Sequence, residues 1–149
     1  MGYIQGEKII AVRKCIEPTF TYTDFDCYVS ATFYVIKTEK VNLKYLTALL
    51  NSKLIAFWLK HKGKMQGNNY QIDKEPLLAL PLKNISENTQ KPFISLADQI
   101  LAITNDDDYL ENPDKQAKVK EYERQIDQMV YKLYGLTEDE IKIVEGDNK

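Results

Sequence analysis

The chain has 149 residues, of which 44% are hydrophobic and 28% charged. That is enough apolar material for one domain, or for a compact domain with an appendage, and too much for a disordered tail. No apolar run approaches the roughly 20 residues that span a bilayer. The opening MGYIQGEK carries no signal-peptide pattern, and Gly2 lacks the Ser or Thr at the sixth position that myristoylation needs.

Two cysteines, Cys15 and Cys27, and one histidine, His61, provide no metal-ligand spacing and no disulfide framework. They read as buried, reduced thiols of a cytoplasmic protein. The formal net charge of −2 averages two unlike halves. Through Asn84 there are 12 Lys and Arg against 7 Asp and Glu, a net of +5; from Ile85 onward there are 8 against 15, a net of −7. An anionic partner would therefore meet the first half.

Lys8 to Lys14 (KIIAVRK) is an apolar run with basic ends and predicts a central strand. Beyond Pro18, Thr19 to Thr23 (TFTYT) alternates aromatic and β-branched residues, as a half-buried strand does. Asp24-Phe25-Asp26 predicts a turn, and Tyr28 to Lys37 (YVSATFYVIK) predicts one or two further strands in a meander or mixed sheet. Asn42 caps a helix with Leu43, Leu46, Leu49 and Leu50 on its apolar face. Asn51-Ser52 bends or continues it, and Lys53 to Lys62 extends it, with Trp58 expected in the core. Gly63 stops it, with Lys60, His61 and Lys62 in the last turn. Gly63 to Asn68 predicts a loop, Tyr70 to Asp73 a strand, and Glu75 to Leu80 a helical turn before Pro81.

The pattern changes after Leu82. Asn84 to Pro92 predicts a polar linker, and Pro92 to Thr104 a helix with Phe93, Leu96, Ile100 and Ile103 on one stripe. An acidic connection, NDDDYLEN, leads to Asn112-Pro113, a cap followed by Pro at the first helical position. That helix runs to Tyr134 and ends at Gly135. Thr137-Glu138-Asp139-Glu140 is a capping box for a last short helix through Ile143 or Val144. The two longer helices predict a helical hairpin.

The most informative stretch lies between the halves. No acid occurs between Glu39 and Asp73, while Lys40, Lys44, Lys53, Lys60, Lys62 and Lys64 fall there, followed by Gln66, Asn68, Asn69, Tyr70 and Gln71. Cations hold a polyanion and amides pair with base edges, adenine above all. The plain alternative is a solvated loop whose Asn and Gly turn the chain. Arg13-Lys14 at a strand end is a weaker candidate for the same surface. Tyr22, Tyr28 and Tyr34 could offer stacking platforms to unpaired bases, although half-buried sheet aromatics are commoner.

Catalysis has no anchor in the sequence. Pro113-Asp114 with Glu140-Ile141-Lys142 superficially matches a metal-dependent nuclease pattern, but that chemistry needs two carboxylates converging on a divalent ion. Here one opens a helix and the other completes a capping box. There is no Gly-rich phosphate cradle and no nucleophile elbow.

Three segments carry a family resemblance: Leu49-Leu50-Asn51-Ser52-Lys53; Tyr70 through Leu80-Pro81-Leu82; and Met129 to Ile141 (MVYKLYGLTEDEI). Their order and spacing resemble the TaqI-like C-terminal specificity domain of type IIG restriction–modification enzymes and adenine-specific DNA methyltransferases. The resemblance implies a target-recognition domain without catalysis of its own. It would dock in the major groove of double-stranded DNA while a separate domain flips out and methylates adenine from S-adenosylmethionine; a nuclease domain would sit elsewhere in the parent, and S-adenosylmethionine and any Mg would belong to the parent rather than to this chain. The DNA-facing residues would be Arg13, Lys14, Lys62, Lys64, Gln66, Asn68, Asn69, Tyr70 and Gln71.

The expected fold is α+β. Residues 1–84 form a small mixed β-sheet with helices, the recognition core; residues 85–149 form a helical C-terminal segment packing on that core or on neighbouring domains of the parent. No cofactor is expected in this chain, and no membrane. An alternative function is a protein-interaction module that uses the acidic helical hairpin.

Overall fold

A computed structural model of the chain describes residues 2–12, 14–15, 20–29, 33–38, 41–62, 64–66, 69–71 and 85–146. Its framework is a long two-stranded ribbon. One side is β1 (Gly2–Ile4) and β2 (Lys8–Val12); the other is β4 (Phe20–Thr23) and β5 (Cys27–Val29). The pairs Gly2 with Val29, Ile4 with Cys27, Lys8 with Thr23 and Ala11 with Phe20 keep one antiparallel register from end to end.

The interruption between these pairs places Gln5-Gly6-Glu7 opposite Asp24-Phe25-Asp26. Gly6 adopts φ 69°, a left-handed conformation that costs glycine little. Its N–H donates to Asp26 Oδ1 at 2.7 Å, and the Tyr3 hydroxyl donates to Asp26 Oδ2 at 3.1 Å. These two donors hold the Asp26 carboxyl below the usual carboxylate range. Lys8 is fully buried beneath the interruption, and its ammonium donates to the carbonyls of Gly6 and Phe25, so the charge finds the acceptors that burial demands.

The strand β6 (Phe33–Ile36) pairs with the other edge of β2, giving the order β4-β2-β6. A second three-stranded sheet has the order β3-β8-β7, from β3 (Lys14–Cys15), β7 (Lys64–Gln66) and β8 (Asn69–Gln71). Every pairing among the described residues is antiparallel. No mixed sheet is seen there, and neither three-stranded order is a simple meander, because β6 crosses to the far edge of β2 and β3 pairs with β8.

Five helices complete the described chain: α1 (Leu43–Leu50), α2 (Lys53–Lys62), α3 (Glu87–Thr104), α4 (Pro113–Leu133) and α5 (Glu138–Gly146). A single 3₁₀ turn, Tyr109–Glu111, lies between α3 and α4. The fold is α+β, with helices closing the chain. One core joins Ile9, Ala11 and Phe20 of the sheet to Leu46, Leu49 and Leu50 of α1, Ile55 and Leu59 of α2, Phe93 and Leu96 of α3, and Ile126 and Val130 of α4. Tyr45 meets Phe93 edge to face, with centroids 5.2 Å apart, a geometry that adds about 0.5–1.5 kcal/mol to area burial. The residues before Asn84 and those after it thus share a core.

Several local expectations hold. Asn42 caps α1 through Lys44 N–H, Asn112 caps α4 with Pro113 behind it, and Thr137 with Glu140 forms a reciprocal capping box on α5. Others need correction. The segment Gly63–Asn68 is not all loop, because Lys64–Gln66 is a strand paired to β8. The segment Asn84–Pro92 is not all linker, because α3 begins at Glu87. Ser86 caps it by accepting Thr89 N–H, and Pro92 lies inside the helix. In the second turn a proline forfeits one backbone bond, and buried Gln90 offsets that loss. Its amide donates to Ile85 O at 2.9 Å and accepts Asn42 N–H at 3.4 Å, tying the first turn of α3 to the start of α1. Trp58 is half-buried at the core margin rather than inside it. Cys27 is also half-buried, and free. The expected stop at Gly63, the end of the strand at Asp73 and the helical turn at Glu75–Leu80 lie outside the described residues.

Candidate nucleic-acid interface

The tip of the ribbon and the segment after α2 meet in the sheet β3-β8-β7. Lys14 is opposite Gln71 and Cys15 opposite Tyr70; on the other side of β8, Lys64 is opposite Gln71, Met65 opposite Tyr70 and Gln66 opposite Asn69. Residues some 50 positions apart in the chain, Lys14 and Lys64, therefore flank one central strand. Of the nine candidate contact residues, Lys14, Lys64, Gln66, Asn69, Tyr70 and Gln71 belong to this sheet and Lys62 ends α2, while Arg13 and Asn68 lie outside the described residues.

The strand β4 and the helix α2, which lie next to this sheet in the chain, are both anchored at Asn51-Ser52. Asn51 is the C-cap of α1. Its side chain accepts Phe20 N–H at 2.8 Å and donates to Phe20 O at 2.7 Å. Phe20 opens β4, an edge strand, so the amide pairs with backbone groups that would otherwise face outward, as a neighbouring strand would. Ser52 is buried; its hydroxyl donates to Leu49 O at 2.6 Å and receives Ile55 N–H at 3.4 Å, linking the end of α1 to the first turn of α2.

The start of α2 is held from a distance as well. Lys53 N–H donates at 2.8 Å to Asp127 Oδ1, on α4. Asp127 is 7% exposed. Burial raises its carboxyl pKa, while the Lys53 N–H pulls the other way. At the far end of α2, the rings of Phe57 and exposed His61 lie 4.4 Å apart. Neither the Asn51 clamp nor the Asp127 anchor is apparent from spacing alone. The available signals were the Asn-Ser pair at a helix junction and an acid beside Ile126 on an apolar stripe.

Other surfaces are less suited to a polyanion. Tyr22 and Tyr34 are half-buried, and Tyr22 donates its hydroxyl to Glu7. Tyr28 is 72% exposed and lies against Tyr3, whose hydroxyl donates to the Asp26 carboxylate. Tyr3 is also nine residues from Val12 along the ribbon, about 30 Å of extended chain, at the end away from Lys14. A crevice of about 200 Å³ opens between β4, α1, α3 and α4. Its polar groups are occupied: Asn51 by Phe20, Asp127 by Lys53, and Lys44 by Asp98.

No cluster of three or more His, Cys, Asp or Glu able to hold a metal exists among the described residues. Asp114 lies in the first turn of α4, and Glu140 is engaged by Thr137 N–H at 2.8 Å. The two do not combine into the carboxylate pair of a nuclease.

The model of the TaqI-like C-terminal specificity domain matches residues 1–82. The chain belongs to this family. The TaqI-like domain takes in the ribbon, α1 and α2, and the sheet β3-β8-β7, which is the net-positive part of the chain. Two curated relatives match as well. The type II methyltransferase M.HincII of Haemophilus influenzae is 36% identical over 52 residues, 35% of this chain and 10% of that protein. The type II methyltransferase M.HindII of Haemophilus influenzae strain Rd matches over the same length at the same identity. The shared segment is thus about a tenth of the length of either relative.

Proposed function

We propose that this chain is the DNA-reading domain of a type II restriction–modification enzyme whose methyltransferase is adenine-specific, of the type IIG kind in which one parent chain also cleaves. The observation that carries this is the coincidence of the family match, residues 1–82, with the basic half of the molecule. The bound partner is double-stranded DNA. Lys14, Lys62 and Lys64, with Arg13, hold phosphates, and Gln66, Asn68, Asn69 and Gln71 read base edges. Catalysis, S-adenosylmethionine and any Mg belong to other domains of the parent, and the protein works in the cytoplasm.

The acidic helical segment faces protein rather than DNA. Leu110 and Ile143 are 87% and 61% exposed there, the kind of apolar surface that neighbouring domains of the parent would cover. This retains, for residues 85–149 alone, the alternative of a protein-interaction module.

The test is binding of duplex DNA at low and rising salt, with Lys62→Ala, Lys64→Ala and Asn69→Ala combined. Binding that weakens as salt rises and is lost in the triple variant supports the assignment. Binding that is absent at low salt in the unaltered chain, or unchanged in the variant, refutes it.

A further inference from the structure

The helix α2 ends at Lys62, and Lys64 opens β7 two residues later. Its other end has a deficit. The N–H groups of a first helical turn have no partner within the helix, and a helix N-terminus favours negative charge. Lys53–Lys62 contains no acid, and a lysine stands at its first position. Ser52 supplies part of what is missing. Its carbonyl accepts Ala56 N–H at 3.0 Å and its hydroxyl accepts Ile55 N–H at 3.4 Å. The N–H of Lys53 is left to Asp127, 74 residues away in the chain, at 2.8 Å. Asp127 is 7% exposed and stands on α4 beside Ile126 and one turn before Val130 and Tyr131, all three buried. The carboxyl that completes this basic helix is therefore fixed by the core. It also lies outside residues 1–82, the part that the family match covers.

We infer that Asp127 is a positioning residue for DNA reading. By capping α2 from α4, it sets where the Lys62 end of that helix and the adjoining β7 stand, and it makes the helical segment part of the reading unit. This rests on the DNA-reading assignment above and adds to it a residue that acts through α2 and not on the DNA itself. At 1.5 Å per residue, Lys53 and Lys62 are about 14 Å apart along the helix. A tilt of about 10° over that length moves one end by about 2 Å relative to the other, more than a hydrogen bond to a phosphate or a base edge tolerates. The helix contacts β7 directly, so its displacement is passed to the strand.

The experiment measures binding of sheared genomic duplex DNA, over a rising salt series, by the unaltered chain, Asp127→Ala, Asp127→Asn and Asn112→Ala. Ala removes the acceptor for Lys53 N–H, and Asn keeps one. Asn112→Ala opens the cap of α4 at Lys115 N–H and controls for lost stability. Both substitutions at position 127 delete a negative charge, which by itself tightens binding to a polyanion. A weakening in Asp127→Ala therefore runs against the charge effect. Far-UV circular dichroism reports folding.

Asp127→Ala is expected to bind at least fivefold more weakly at low salt, with a logarithmic salt slope shallower by about 1–2, as for one or two lost phosphate contacts. Asp127→Asn and Asn112→Ala keep the slope of the unaltered chain and bind at least as tightly to within twofold. Unchanged binding in Asp127→Ala, equal loss in Ala and Asn, or loss in all three variants overturns the positioning role while leaving DNA reading intact. No binding by the unaltered chain at low salt overturns the DNA reading and this role with it. Should Asp127→Ala not fold, amide hydrogen exchange in the unaltered chain decides. Coupling between two sites is reciprocal, so bound DNA should slow exchange at Lys53 at least threefold and leave Glu140, in the capping box of α5, unchanged. Equal slowing at both, or none at Lys53, overturns the role.

Discussion

Replacing Asn51 with Ala isolates the clamp that holds β4 to α1. The substitution deletes two hydrogen bonds, from Phe20 N–H at 2.8 Å and to Phe20 O at 2.7 Å. A neutral hydrogen bond contributes about 0.5–1.5 kcal/mol net. Asn51 is an exposed residue, so water can reach the freed groups and the full penalty for burying them unpaired does not apply. The sum is about 1–2 kcal/mol. For a chain of this size that lowers the melting temperature by roughly 3–8 °C. Urea unfolding followed by circular dichroism measures it, with an unchanged slope showing that stability alone has moved. Asn51→Asp is the discriminating companion. It keeps the acceptor for Phe20 N–H, but it loses the donor and sets a carboxylate against Phe20 O, so it should be at least as destabilising as Ala. A loss below about 0.3 kcal/mol in both variants would show that the amide does not hold the edge strand.

Three further outcomes follow from buried or capping groups. Asp127→Asn keeps an acceptor for Lys53 N–H and removes a carboxyl whose pKa burial raises. The folded state binds that proton more tightly than the unfolded one, so the wild-type carboxyl costs stability increasingly as pH rises above its ordinary value of 3.8. The Asn variant should therefore gain on wild type toward neutral pH and match it below that value; a constant difference across pH would contradict this. Tyr131 is buried and its hydroxyl has no partner among the described residues. Tyr131→Phe should then stabilise by up to about 1 kcal/mol in thermal unfolding, and a loss would reveal an unseen partner. Glu140→Ala should cost about 0.5–1 kcal/mol by opening the capping box with Thr137. Those bonds hold the Glu140 carboxyl below its ordinary value, so the cost should fade as pH drops through the carboxylate range. Neither this variant nor the unaltered chain should cleave DNA when Mg is added; cleavage abolished by the substitution would restore the nuclease.

The sequence disclosed elements whose cause is local. The β-branched and aromatic runs of β2, β4 and β6, the Asn42 and Asn112 caps and the Thr137–Glu140 box are each fixed by residues within a few positions. What it concealed depends on contacts distant in the chain. Lys64-Met65-Gln66 has no β-branched residue and becomes a strand only because β8 lies beside it. The helix α3 starts before Pro92 because Gln90 reaches Asn42 and Ile85, ties that no helical periodicity announces. The candidate site was legible in composition, as cations followed by amides. Its arrangement was not, since alternation over three-residue strands is too short to read without knowing the register.

The most direct measurement is the salt dependence of duplex DNA binding by the unaltered chain and by Lys62→Ala, Lys64→Ala. Each lost phosphate contact reduces the logarithmic slope by about 0.9, so the double variant should show a slope shallower by about 2 and weaker binding at low salt. Equal slopes and equal affinity for the two proteins would contradict a basic, DNA-holding face on the first half of this chain.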